Sequence, residues 1–335
     1  MRKYIIKRIM ISFVVLFGVI LITFLITKAI PGDPAAKWAG PRASIEQIQA
    51  ARIELGLNDP YIIQFINYLS DLLHGDLGVS YITHRPIADE LMTAIPATME
   101  LIIISTIISI IFGIALGLYS AKFKNKLFDH VIRFFSIGTV SLPSFWLALA
   151  LQLIFYGMLG ILPLGGRVST MTSVMYELPN ITGMLLLDCI LTGNWVIFKD
   201  ALAHIILPVI TLSTNVGVVA RMTRSALLEI LNEDYITAEK SYGISERYVL
   251  WVLALKNSLG PTTTVIALTV GYTIVNTFLV ESIFSWPGIG KYVSNAVMSF
   301  DYPAIIGVTI FSAVVYIILN LIADIVISLD PRVRL

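Results

Sequence analysis

The sequence predicts an all-α protein that crosses a membrane six times. Three observations predict it. Of 335 residues, 57% are hydrophobic and only 13% are charged, against roughly 25% charged in soluble domains. Six apolar runs, at residues 9–29, 99–118, 137–159, 203–219, 262–283 and 304–329, approach or exceed the ~20 residues that span a hydrocarbon core. Charge is also asymmetric. The segments at residues 2–8, 122–133, 221–256 and 332–334 hold fifteen Lys and Arg, and the longer segments between the other run ends hold eight. Basic residues concentrate on the cytoplasmic side, so both termini read as cytoplasmic.

Composition also excludes. A net charge of +1 leaves no electrostatic footprint for nucleic acid. The single cysteine, Cys189, forms no internal disulfide. His74, His84, His130 and His204 are scattered without metal-ligand spacing, so no metal site is expected. No phosphate-binding loop of the form GxxxxGK[ST] occurs, and Gly288-Ile289-Gly290-Lys291 is too short to cradle phosphates. No catalytic residue and no cofactor is expected on this chain. If ATP drives its work, another chain binds the nucleotide.

The elements follow in order. Residues 1–30 hold the first run, preceded by Arg2, Lys3, Lys7 and Arg8. Small residues near Ala35 and Ala39 would suit a cleavage site. The run is longer than a signal-peptide core, so an uncleaved span is expected. Residues 31–97 form a polar, extracytoplasmic segment. Two amphipathic helices are expected there, near 45–55 and 60–73, bounded by the turn signals Asn58-Asp59-Pro60 and Gly75-Asp76. The core of the protein follows from residue 98. Pro143 stands near the start of the third run, where it opens the helix. Residues 160–202 are punctuated by Gly165-Gly166 and Pro179-Asn180. Their stretch 181–198 is apolar but interrupted by Asp188, Gly193 and Asn194. A seventh span there would place the carboxyl end outside, so an extracytoplasmic or interfacial helix is expected instead. The fourth run ends at Arg221 and Arg224, which share a face and are expected to snorkel to the headgroups.

Residues 224–261 are polar yet stand between two apolar runs. Their grammar is helix, tight turn, helix. Helical spacing is expected over residues 227–242, Gly243 supplies a left-handed stop, and Ser245 is an N-cap for a second helix. Pro261 is expected to mark the start of the fifth span. The result is an L-shaped pair on one membrane surface, suited to a groove on a partner.

This hairpin resembles the coupling loop of the permease subunits of binding-protein-dependent ABC importers. Ala238 and Gly243 fit that family's pattern, while Thr237 and Glu239 stand where it has Glu and Ala. The flanks DYITA, GISERYVL and ALKNSLGP, together with PGDP, LGLxxP, GDLGxS, PATxEL, LLDCILTGNW and ESIFSWPGIGKYV, resemble the B-type permease of the oligopeptide, dipeptide and nickel branch. The resemblance covers residues 7–335. It implies the fold of a type I ABC importer permease in the cell membrane. It implies a second homologous permease subunit, two ATPase subunits that bind ATP and Mg²⁺, an extracytoplasmic substrate-binding protein and a peptide cargo. It places Ala238, Glu239, Gly243, Ile244 and Ser245 at the ATPase.

Two further sites are expected from the residues. Thr269, Thr273, Asn276 and Thr277 share one face of the fifth run and offer neutral donors and acceptors for a translocation path; interhelical bonding is the plainer role for such residues. Gly75, Asp76, Leu77, Gly78 and Ser80 are expected in the docking face for the binding protein, to which residues 160–202 also contribute. The alternatives are the same architecture with nickel or a metal chelate as cargo, and a secondary transporter driven by an ion gradient. The latter often buries ionisable groups in mid-span, whereas Glu281 and Asp324 stand near the ends of runs.

Overall fold

Why the apolar runs become the helices they do is visible in the computed structural model, which describes residues 2–29 and 32–328. No strand occurs among the described residues, and an isolated bridge joins Val79 and Pro86. In chain order the helices are α1 (Arg2–Ala29), α2 (Pro34–Ala39), α3 (Ile45–Glu54), α4 (Tyr61–Leu73), α5 (Ile87–Lys122), α6 (Leu127–Ser141) and α7 (Ser144–Leu151). There follow α8 (Thr170–Met175), α9 (Leu185–Thr192), α10 (Trp195–Leu212), α11 (Val216–Leu231), α12 (Asp234–Ser241), α13 (Glu246–Tyr248), α14 (Leu255–Ile283), α15 (Ile289–Ser299) and α16 (Tyr302–Ser328). Arg332 and Arg334 lie outside the described residues, and so does the side chain of Asp324.

Four stretches are long and apolar enough to cross a membrane: Arg8–Ala29, Ile87–Lys122, Trp195–Leu231 and Glu246–Ile283. A bent pair, Leu127–Ser141 with Ser144–Met158, forms a fifth if counted as one span, and Tyr302–Ile318 is a shorter apolar helix. These coincide with the six runs marked in the sequence, but with different boundaries. The third run is not one rod. Its halves meet at 104° because Pro143 forces the preceding residue out of the helical region, and Leu142 is extended at φ −88°, ψ 129°. The fifth run differs in the opposite way. Pro261 does not open it but lies inside α14, which continues the turns of α13 and a wide π turn at Val249–Ala254. A membrane helix tolerates such a proline more readily than a soluble one, and one residue on, Thr262 Oγ1 donates to the Ser258 carbonyl of its own helix.

The described residues divide into two compact units, 2–29 and 32–96 with 288–321, and 97–287 with 322–328. In the first unit, Ile20 of α1 and Ile306 and Ile310 of α16 form a buried cluster, against which Phe65, Tyr68 and Leu72 of α4 pack. Ser44 and Gln47 close a reciprocal capping box at the start of α3. In the second unit the core gathers Leu101, Cys189, Ile197, Leu207, Phe284 and Trp286. Here α5 and α11 approach closely. A Cβ on Gly113 would sit 2.6 Å from the Val219 side chain, and one on Gly117 would sit 2.6 Å from the Ala220 carbonyl. Gly113 and Gly117 are four residues apart, the small-xxx-small spacing that lets membrane helices touch.

Candidate translocation face and coupling hairpin

The hairpin is built from two short helices and one left-handed residue. The helix expected over residues 227–242 is interrupted: α11 ends at Leu231, Asn232 and Glu233 break it, and α12 begins at Asp234. The break lets α12 turn Ile236 fully inward. Gly243, at φ +81°, ends α12, and the amides of Gly243 and Ile244 donate to the carbonyls of Lys240 and Glu239. Ser245 caps α13 by accepting from the Tyr248 amide. Asn257 Nδ2 donates to the Tyr235 hydroxyl at 3.1 Å, which ties α12 back to α14. Ala238, Gly243 and Ser245 are exposed, Glu239 and Ile244 are half-buried, and Tyr242 at the turn is 85% exposed. The five residues therefore surround one turn and form one patch.

The hydroxyl face of α14 points into its own unit. Thr273 and Thr277 are buried. Thr273 Oγ1 accepts from Asn215 Nδ2 at 2.9 Å, and Asn215 also reaches the Thr269 carbonyl. Thr277 Oγ1 donates to the Thr273 carbonyl. Asn276 is half-buried, and its Oδ1 accepts from Ser144 Oγ at 2.8 Å. The exposed stripe of α14 is instead Leu268, Tyr272, Val275 and Leu279. The structure thus brings the four polar residues together but engages three of them with neighbouring elements: Thr269 and Thr273 through Asn215, and Asn276 through Ser144.

The segment around residues 75–80 is pinned by its last residue. Ser80 is buried and donates to Asp301, whose other carboxylate oxygen accepts from the Tyr81 amide. Burial, then the Asp301 charge, push the Tyr81 phenol up to about 12. Gly75 and Asp76 are exposed, Leu77 and Gly78 are half-buried, and Asp76 Oδ1 accepts from the Gly78 amide. Gly75, Asp76 and Val79 are the exposed residues of the motif.

Residues 160–202 fold around two carboxylates. Glu100, buried in α5, accepts from Arg167 Nη2 at 2.6 Å and from the Leu186 amide at 2.7 Å. Asp188, buried in α9, accepts from the amides of Ile181, Thr182 and Gly183 and from the Thr182 hydroxyl. Burial raises its pKa and these four donors outweigh burial, so it stays below the usual carboxylate range.

Sequence reasoning missed these pairs, and it misplaced Arg224. That arginine does not snorkel: Nε and Nη2 each reach the buried Asp129 carboxylate at 2.7 Å. Arg221 is exposed. The partners stand 95 residues apart, and no local periodicity connects them.

Two family models cover nearly the whole chain: the inner membrane component of binding-protein-dependent transport systems over residues 113–335, and the N-terminal part of such membrane components over residues 1–102. The chain belongs to this family. It is a multi-pass inner-membrane permease of a system that depends on a binding protein. It is 41% identical to a probable D,D-dipeptide transport system permease of Escherichia coli K12, over 95% of this chain and 94% of the relative. It is 39% identical to a dipeptide transport system permease of Alkalihalophilus pseudofirmus, over the full length of both. It is 34% identical to an oligopeptide transport system permease of Bacillus subtilis, again over the full length of both.

Proposed function

We propose that this permease forms half of the translocation path of an ATP-driven importer of short peptides. The observation that carries the reading is that relatives named for dipeptide and oligopeptide transport align along the whole chain. The nickel alternative has no comparable support. A second homologous permease supplies the other half of the path, two ATPase subunits bind ATP and Mg²⁺, and both termini face the cytoplasm. The chain itself catalyses nothing. Ala238, Glu239, Gly243, Ile244 and Ser245 enter a groove of the ATPase, because a short, tied hairpin with an exposed turn transmits force. Closure of the ATPase pair moves the hairpin, and the spans open outward to take the peptide.

Within the proposed path, Thr269 and Asn276 face the cargo when the Ser144 contact opens, while Thr273 holds α14 to its neighbour through Asn215. Gly75 and Asp76 meet the binding protein, with Leu77, Gly78 and Ser80 shaping the loop beneath them. Reconstituted vesicles containing the complete complex test the function. Labelled dipeptide should enter with ATP and binding protein present and no ion gradient. Uptake that requires a gradient but not ATP, or uptake of Ni²⁺ with no peptide transport, overturns the reading.

A further inference from the structure

Helix α4 carries three faces, one of them apolar and bare. Its sequence, YIIQFINYLSDLL, holds one charged residue, Asp71. Gln64, Asn67 and Asp71 recur at helical spacing and line a cavity of the first unit, together with Thr27 and Lys28 of α1 and Tyr302 of α16. Phe65, Tyr68 and Leu72 form a second face, packed on Ile20 of α1 and on Ile306 and Ile310 of α16. The third face has no cover. Ile62, Ile66 and Leu73 are each more than half exposed. On the helix they fall within about 40° of one another and roughly opposite the polar face.

The depth of α4 decides what covers that face. Lys28 Nζ donates to Gln64 Oε1, so α4 starts level with the end of the span Arg8–Ala29. Its packed face reaches deeper. The Phe65 ring lies 5.2 Å from that of Phe24 and 6.2 Å from that of Phe17, and Ile20 stands about 12 Å below Lys28 along α1. Beyond Phe17 the same stripe of α1 continues as Phe13 and Met10, both more than half exposed, the surface that a span offers to lipid. Helix α4 therefore rests on a lipid-facing stripe, within the apolar length of the span. Because its polar face turns to the cavity at the Lys28 end, the bare stripe turns toward the middle of the bilayer. A helix with opposed polar and apolar faces lies at that boundary. We propose that α4 is an interfacial helix whose Ile62, Ile66 and Leu73 rest among the lipid acyl chains of the leaflet in which α1 ends. It anchors the segment between α1 and α5, and so sets the height of Gly75 and Asp76, which follow it directly. The assignment needs α1 to span the membrane, but neither the peptide reading nor the orientation of the termini.

Spin labels on the complete complex in lipid nanodiscs test this. In a Cys189→Ala background, the single variants Ile66→Cys and Leu73→Cys are labelled, with Asn67→Cys on the polar face for comparison. Collision with oxygen, which partitions into lipid, is measured against collision with a water-soluble chromium complex. The oxygen-to-chromium ratio at Ile66→Cys and Leu73→Cys should be severalfold higher than at Asn67→Cys, and should not change when loaded binding protein is added. Two positions, at the middle and the end of α4, keep the test decisive if one variant fails to fold. Ratios no higher than at Asn67→Cys would put the stripe in water and overturn the proposal. Labels reached by neither reagent would assign the stripe to a neighbouring subunit, and loss of oxygen access on adding the binding protein would assign it to that partner. Either result overturns the proposal as well.

Discussion

At the scale of single residues, Asp188 and Gly243 carry opposite kinds of constraint. Asp188 gathers four donors at one buried carboxylate. Its folded pKa lies below the unfolded value, so the stability it contributes is complete above the unfolded value of about 3.9 and is lost as pH falls through the lower, folded one. Asp188→Asn should lower stability at neutral pH by about 1.5–3 kcal/mol, the scale of hydrogen bonds to a charged group. Thermal unfolding in detergent should show the gap closing below about pH 4; a gap independent of pH would contradict this account. Gly243 has open space where a Cβ would stand, so only its left-handed backbone penalises a side chain, by roughly 1–2 kcal/mol. Gly243→Asp should leave membrane insertion intact and reduce co-purification of the ATPase severalfold, while Glu239→Ala should be mild. A Gly243→Asp complex with full ATPase content and normal transport would remove the hairpin from the coupling role.

At the scale of elements, the decisive contact is between α5 and α11. Gly113 and Gly117 let the two backbones meet, and a larger residue must push them apart. Gly117→Leu should cost about 1–3 kcal/mol or more, as overpacking does, and should lower the amount of folded chain recovered from the membrane. Gly18 offers the control, because nothing lies within 4 Å of its Cβ position and Gly18→Leu should leave recovery unchanged. Equal recovery for both substitutions would mean that α5 and α11 do not pack as described. The same logic explains the bent third span. A proline that breaks a helix acts through its own neighbours, whereas a glycine that joins two helices acts through a partner far along the chain.

At the scale of the whole molecule, the charge asymmetry gives a topology that labelling can test. In a Cys189→Ala background, a cysteine at Gly75 should react with a membrane-impermeant thiol reagent added outside intact cells. A cysteine at Tyr242, 85% exposed, should react only after the membrane is opened. Reaction of both from the same side would refute the proposed orientation.

The sequence alone determined the class of the protein, the six apolar runs, the turn at Gly243 and the cap at Ser245. Each is set by forces that act within one element: apolar length against the bilayer, backbone strain at one residue, a hydroxyl reaching its own helix start. The small-residue spacing of Gly113 and Gly117 acquires a meaning only from what the two glycines touch on α11. Only the tertiary structure decided that Arg224 closes on Asp129 and Arg167 on Glu100, that Ser80 meets Asp301, and that Lys28 meets Gln64. Buried charges and hydroxyls must find partners, and helix packing, not sequence spacing, determines which partners are within reach.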